Sequence, residues 1–170
     1  MKGLAIFVLL LTTALAQVTV APLFPIAGAI PELPLLVLTL LAIFAGPNAV
    51  MLGMPTLAIL YGFASDRSPA LLVVAYLPLL PFAAALEGWR IPLWEYPRLA
   101  IAILISGLWI RGVLSFAAVA QGAHLAVGPL IFDVLAPGAF LDLALLTVAY
   151  APLRLIGWGG HQLSLQRSGY

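Results

Sequence analysis

The chain has 170 residues, of which 64% are apolar and 8% charged, with a mean hydropathy of +1.18. A soluble domain carries roughly a quarter charged residues, so seven basic and six acidic side chains cannot clothe a water-facing surface of this size. The formal net charge of +1 and the absence of any Lys/Arg cluster argue against nucleic-acid binding, and the lack of cysteine removes disulfides, thiolate metal sites and a Cys nucleophile. The composition is that of an integral membrane protein with little mass outside the bilayer.

A helix needs about 20 residues to cross ~30 Å of hydrocarbon. Charges and Pro/Gly clusters divide the chain into six such stretches: Gly3–Pro22, Leu33–Gly46, Ala49–Ser65, Pro69–Gly88, Arg98–Ala120 and Leu135–Trp158. These predict an all-α polytopic bundle, with residues 1–158 as one transmembrane domain and 159–170 as a short cytoplasmic tail. The first stretch imitates a secretory signal through Lys2, its apolar run and Ala14-Leu15-Ala16. Apolar character continues through Val18, Val20 and Ala21, so a retained helix is expected. The second is short and follows Pro22, Pro25, Pro31 and Pro34, which leaves open five spans plus a re-entrant segment. Gly46-Pro47-Asn48 reads as a tight turn in which Gly46 stops one helix and Asn48 caps the next. Pro55, Pro78, Pro81, Pro137 and Pro152 are expected to kink helices or lie near their ends.

With six spans and a cytoplasmic N-terminus, Lys2, Arg90, Arg98, Arg154 and Arg167 fall inside and Arg67 outside. That bias predicts both termini in the cytoplasm. Trp89, Trp94, Tyr96 and Trp158 lie where an interfacial aromatic belt is expected.

Charges within hydrocarbon are costly and should face protein or water. Arg111 in the fifth span and Asp142 in the sixth lie at similar depths on antiparallel neighbours, which predicts a buried ion pair. Its role is either a structural clasp or contact with a partner helix or proton path; arginine does not titrate, so the pair alone makes a poor relay. Glu32 is expected to suit the positive end of the second helix. Glu87 and Glu95 neighbour Arg90 and Arg98 on the inner loop, and Asp66 sits in a short outer turn. His124 and His161 fall on opposite sides, so no metal site is expected. Ser106 and Ser115 lie mid-span, far from either histidine. With no phosphate-binding loop, paired-carboxylate site or HExxH motif, neither catalytic residues nor a cofactor are expected.

Small residues are abundant. Ala49 with Gly53, and Ala58 with Gly62, form close-approach faces on the third span. They serve either internal packing or docking of another membrane protein, and Ser115, Ala118 and Val119 offer a further such face.

The chain resembles the bacterial rod shape-determining MreD family. The first helix ends Gln17-Val18-Thr19, and a Pro-rich stretch leads to Pro31-Glu32-Leu33, with Glu32 in place of the family's usual Asp. The next helix closes at Gly46-Pro47. The third ends Gly62-Phe63-Ala64-Ser65-Asp66 before a short turn and Pro69, with Ala70 where Gly often follows. The last finishes Tyr150-Ala151-Pro152-Leu153-Arg154. The resemblance implies a non-enzymatic, multi-pass subunit of the cell-elongation complex in the bacterial inner membrane. It implies MreC as direct partner, with RodA and a class B penicillin-binding protein reached through the complex. The MreB filament would lie at the cytoplasmic face, and peptidoglycan synthesis and rod shape would be the process served. Membrane lipid is the surrounding solvent. The fold implied is similar to the substrate-binding S components of energy-coupling-factor vitamin transporters. That is also the alternative function, for which Arg111, Asp142, Tyr61, Trp109, Gln121 and His124 could line an outward cavity.

Overall fold

A computed structural model of the protein describes residues 2–25, 28–88, 95–123, 128 and 130–155. Among the described residues seven α-helices follow in order: α1 (Lys2–Thr19), α2 (Leu33–Phe44), α3 (Pro47–Ser65), α4 (Pro69–Tyr76), α5 (Leu79–Gly88), α6 (Glu95–Ala120) and α7 (Ala136–Leu155). A single 3-10 turn at Ala21–Leu23 extends α1, and a π-helical turn at Leu130–Leu135 leads into α7. There is no strand among the described residues. Among the described residues four segments are long and apolar enough to cross a membrane: Gly3–Leu23, Pro47–Ser65, Tyr96–Ala120 and Leu130–Pro152. The 12-residue α2 covers only about 18 Å.

Proline sets the breaks. The stretch from Pro69 to Gly88, expected as one span, is divided into α4 and α5 at Leu77-Pro78. Pro78 has no N–H to give the carbonyl of Val74 one turn earlier. The Leu77 N–H reaches that carbonyl only at 3.4 Å, and the Trp109 indole N–H from α6 donates to it at 3.2 Å. Backbone freed within a bilayer must find such a partner, because no water is there to supply one. Pro81 and Pro137 lie in the first turns of α5 and α7, and Pro152 lies in the last turn of α7. Of the five prolines expected to kink or end helices, only Pro55 sits mid-helix, and α3 continues through it.

At the α2–α3 junction the structure corrects the expected cap. Gly46 precedes the first turn with φ 85°, Pro47 opens α3, and Asn48 is already inside the helix. Gly46 is needed there because a side chain is strained at positive φ. Hydroxyls within the helices bond back to carbonyls of the preceding turn, as from Thr13 to Leu9, Thr39 to Leu35 and Thr56 to Leu52, whereas the buried Ser106 hydroxyl of α6 has no partner among the described residues.

The core lies where α3 packs against α1, α2 and α4, and where α6 packs against α4 and α2. Leu10, Leu35, Leu38, Leu57, Leu72, Leu99, Ile103 and Leu146 are buried there. The Ala/Gly face of α3 points into this core. A Cβ on Gly53 would touch Leu41, Leu10 and Leu38. Ala58 is fully buried, Gly62 is buried and Ala49 is half-buried. These four positions therefore bring the chain's own helices together; of the two uses open to them, the structure shows internal packing. The outer surface carries Phe63, Phe116, Phe132, Phe140 and Val148, each at least 70% exposed, as suits side chains dissolved in lipid.

α7 is the most peripheral long helix and packs mainly on α6. Polar contacts join the two at separate heights. At one, the Tyr96 hydroxyl lies 2.6 Å from Thr147 Oγ1. Thr147 gives its own hydrogen to the Leu143 carbonyl at 2.8 Å, so Tyr96 is the donor. The other contact is the ion pair described next.

Candidate functional site: a polar joint at one end of the bundle

The ends of α1, α3 and α6 and the starts of α2, α4 and α7 share one side of the bundle, because successive passes alternate in direction. Several polar side chains converge near that side. Arg111, nine residues before the end of α6, places Nη1 2.6 Å from Asp142 Oδ2 on α7. Both are buried, with 6% and 4% of their side chains exposed. The other carboxylate oxygen, Oδ1, accepts the backbone N–H of Glu32 at 3.2 Å. One aspartate thus joins α6, α7 and the segment ahead of α2. Such a buried pair holds only when the remaining lone pairs are also met.

Two glycines that the sequence reading passed over make room for it. A Cβ on Gly138 would fall on the Arg111 guanidinium, and one on Gly107 would press on Asp142 Oδ2, Arg111 Nη1 and Leu35 at 3.1–3.3 Å. Each glycine precedes its charged residue by four positions, one helical turn, on the same face. The pattern Gly-x-x-x-Arg facing Gly-x-x-x-Asp was the available signal. The guanidinium occupies the space a side chain at Gly138 would need, and its Nη2 is buried with no hydrogen-bond partner among the described residues.

Gln17 fastens the same segment from α1. Its amide donates to the Pro31 carbonyl at 3.0 Å and accepts the Leu33 N–H at 2.8 Å. Pro31 and Leu33 flank Glu32, so three successive residues are tied to α1 and α7. Glu32 does not cap α2 with its side chain, contrary to the expectation of a carboxylate resting at the helix start. It turns inward, and Oε2 accepts the Tyr76 hydroxyl of α4 at 3.2 Å. Burial pushes this carboxyl up to about 7, against the opposing pull of Arg111.

The α3–α4 turn explains Gly62 and Asp66. Asp66 adopts the left-handed conformation, φ 55°, and ends α3. The Arg67 N–H bonds the Gly62 carbonyl at 3.1 Å. The chain then folds back so closely that a Cβ on Gly62 would meet Pro69 Cγ at 2.8 Å. Asp66 is exposed.

The other expected cavity residues do not share one site. Tyr61 is buried beside the joint. Trp109 points to a different face of α6, toward Val74, and borders an apolar groove with Leu71, Leu108, Gly112 and Phe116. Gln121 is exposed. Lys2, Glu87, Glu95 and Arg154 belong to helices, but their side chains lie outside the described residues. Trp89, Arg90, Trp94, His124, Trp158, His161, Arg167 and the 159–170 tail lie outside them altogether. Among the described residues no group of three or more His, Cys, Asp or Glu could hold a metal ion. In comparisons with protein-family models, curated proteins and solved structures, nothing matches the chain.

Proposed function

We propose that this protein is a non-enzymatic scaffold subunit of the bacterial cell-elongation complex, of the MreD type, working through contacts with MreC. One observation carries the reading: the inward polar groups are used to fasten helices to each other. Gln17 is engaged at both ends of its amide, Asp142 at both oxygens, and Glu32 through both backbone and side chain. Such a joint makes a rigid shape, and a rigid shape with an apolar exterior suits a subunit that acts by being contacted. The resemblance supplies the identity of the complex. Its Pro31-Glu32 and Gly62…Asp66 positions are the ones that build the joint and the α3–α4 turn.

In this reading α1, α2, α3, the broken α4–α5 pair, α6 and α7 make six passes, with both termini cytoplasmic by the distribution of Lys and Arg. The joint then faces the outer side of the inner membrane. RodA, the class B penicillin-binding protein and MreB are reached through the complex.

A second reading, the substrate-binding S component, is favoured by the convergence of Gln17, Glu32, Tyr61, Tyr76, Arg111 and Asp142 from different elements and by the buried Nη2 without an acceptor. Co-expression with the MreC of the same organism, followed by purification in mild detergent and mass spectrometry, separates the two. Stoichiometric MreC is the expected result. A tightly retained vitamin-sized molecule without MreC would overturn it.

A further inference from the structure

The charges at the joint do not balance. Two carboxylates, Glu32 and Asp142, share one buried guanidinium, the second cation near Glu32, Arg67, being exposed to the outside of the joint, and one arm of the buried guanidinium is idle while the other holds Asp142. The groups facing Glu32 come from every neighbouring element. Tyr76 on α4 donates to it, Tyr61 on α3 and Arg67 in the α3–α4 turn lie near it, and Arg111 on α6 and Asp142 on α7 complete the set. Gln17 from α1 is neutral and already engaged with Pro31 and Leu33.

We propose that Glu32 is a proton-binding site, and that its proton decides whether Arg111 belongs to Asp142 alone or is shared between the two acids. With the proton on, the buried groups of the joint carry one negative and one positive charge, and the Arg111–Asp142 pair stands undisturbed as seen here. With the proton off, a second anion competes for the idle Nη2. Any movement of Arg111 toward it loosens Asp142, whose other oxygen holds the Glu32 N–H. Proton loss is therefore coupled to the segment ahead of α2. The inference concerns the joint itself and does not depend on the scaffold reading.

The test is infrared difference spectroscopy of the purified protein in lipid nanodiscs, stepped from about pH 5 to pH 9, paired with amide hydrogen exchange. The wild type should lose a protonated-carboxyl band with a midpoint near pH 7, and Glu32→Gln should lack that band while keeping the Tyr76 contact and the fold. Exchange over residues 28–33, corrected for intrinsic rate, should rise several-fold across the transition in the wild type and stay flat in Glu32→Gln. A wild type with no such band, or a band that survives in Glu32→Gln, overturns the proton site. A band that titrates with no change in exchange overturns the coupling.

Discussion

The backbone N–H of Glu32 binds the oxygen of Asp142 that Arg111 leaves open, at 3.2 Å. Residues 110 positions apart are joined, and the contact ties an interhelical ion pair to the backbone of a connecting segment. The pair therefore does more than hold α6 to α7: it fixes where α2 begins.

Removing one partner of the pair should be much worse than removing both. Arg111→Ala or Asp142→Ala leaves a buried, uncompensated charge and is expected to cost about 3–5 kcal/mol, whereas Arg111→Met with Asp142→Leu should recover most of that. Thermal unfolding of the detergent-solubilised variants, followed by a fluorescent reporter, checks the order. A double variant as unstable as either single one would contradict it.

The glycines beneath the guanidinium should rank by clearance. Gly138→Ala places a methyl group on Arg111 and should cost about 2–3 kcal/mol. Gly107→Ala, tight but not overlapping, should cost about 1 kcal/mol. Gly112 is one residue from Arg111 but has nothing within 4 Å of a Cβ, so Gly112→Ala should be neutral or slightly stabilising. The same thermal assay gives the order.

Trp109 and Pro78 should be energetically coupled. Trp109→Phe removes the side-chain donor to the Val74 carbonyl, leaving it only the longer Leu77 N–H contact, and should cost about 1 kcal/mol. In a Pro78→Ala background the restored N–H can serve that carbonyl, so the same change should cost less. A double-mutant cycle with a coupling energy indistinguishable from zero would refute the assignment.

At the α3–α4 turn, Asp66→Gly should be tolerated because glycine accepts positive φ freely, while Asp66→Val should cost about 1–2 kcal/mol. Gly62→Ala should be destabilising at the same turn, since its methyl group meets Pro69. Limited proteolysis in this turn, compared across the three variants, should follow that order.

Stability should also fall with rising pH through the Glu32 transition. A carboxyl raised to about 7 in the folded protein binds its proton more tightly than in the unfolded chain. Its contribution is full below the ordinary carboxylate value and is lost as pH climbs through the folded one. Discounted for partial exposure, the change is about 1–2 kcal/mol. Glu32→Gln should flatten the profile of melting temperature between roughly pH 5 and pH 8.

What the linear sequence determined is the medium and the punctuation. Apolar runs bounded by Gly46-Pro47, Asp66 and Pro69 mark the helices, because backbone groups in hydrocarbon can be satisfied only inside helices and stop where proline or positive φ interrupts them. The Arg111–Asp142 proximity was legible from depth alone, since lone charges in consecutive antiparallel helices have few other partners. Tertiary structure decided the rest. Glu32 looked like a helix-end carboxylate until α4 brought Tyr76 to it, and Gly107 and Gly138 looked like ordinary glycines until α6 and α7 closed on the guanidinium. Pro78 marked a break, but only packing against α6 could select Trp109 as the donor that tolerates it. Local rules specify which groups need partners; which partner arrives depends on how helices distant in sequence come to share one face.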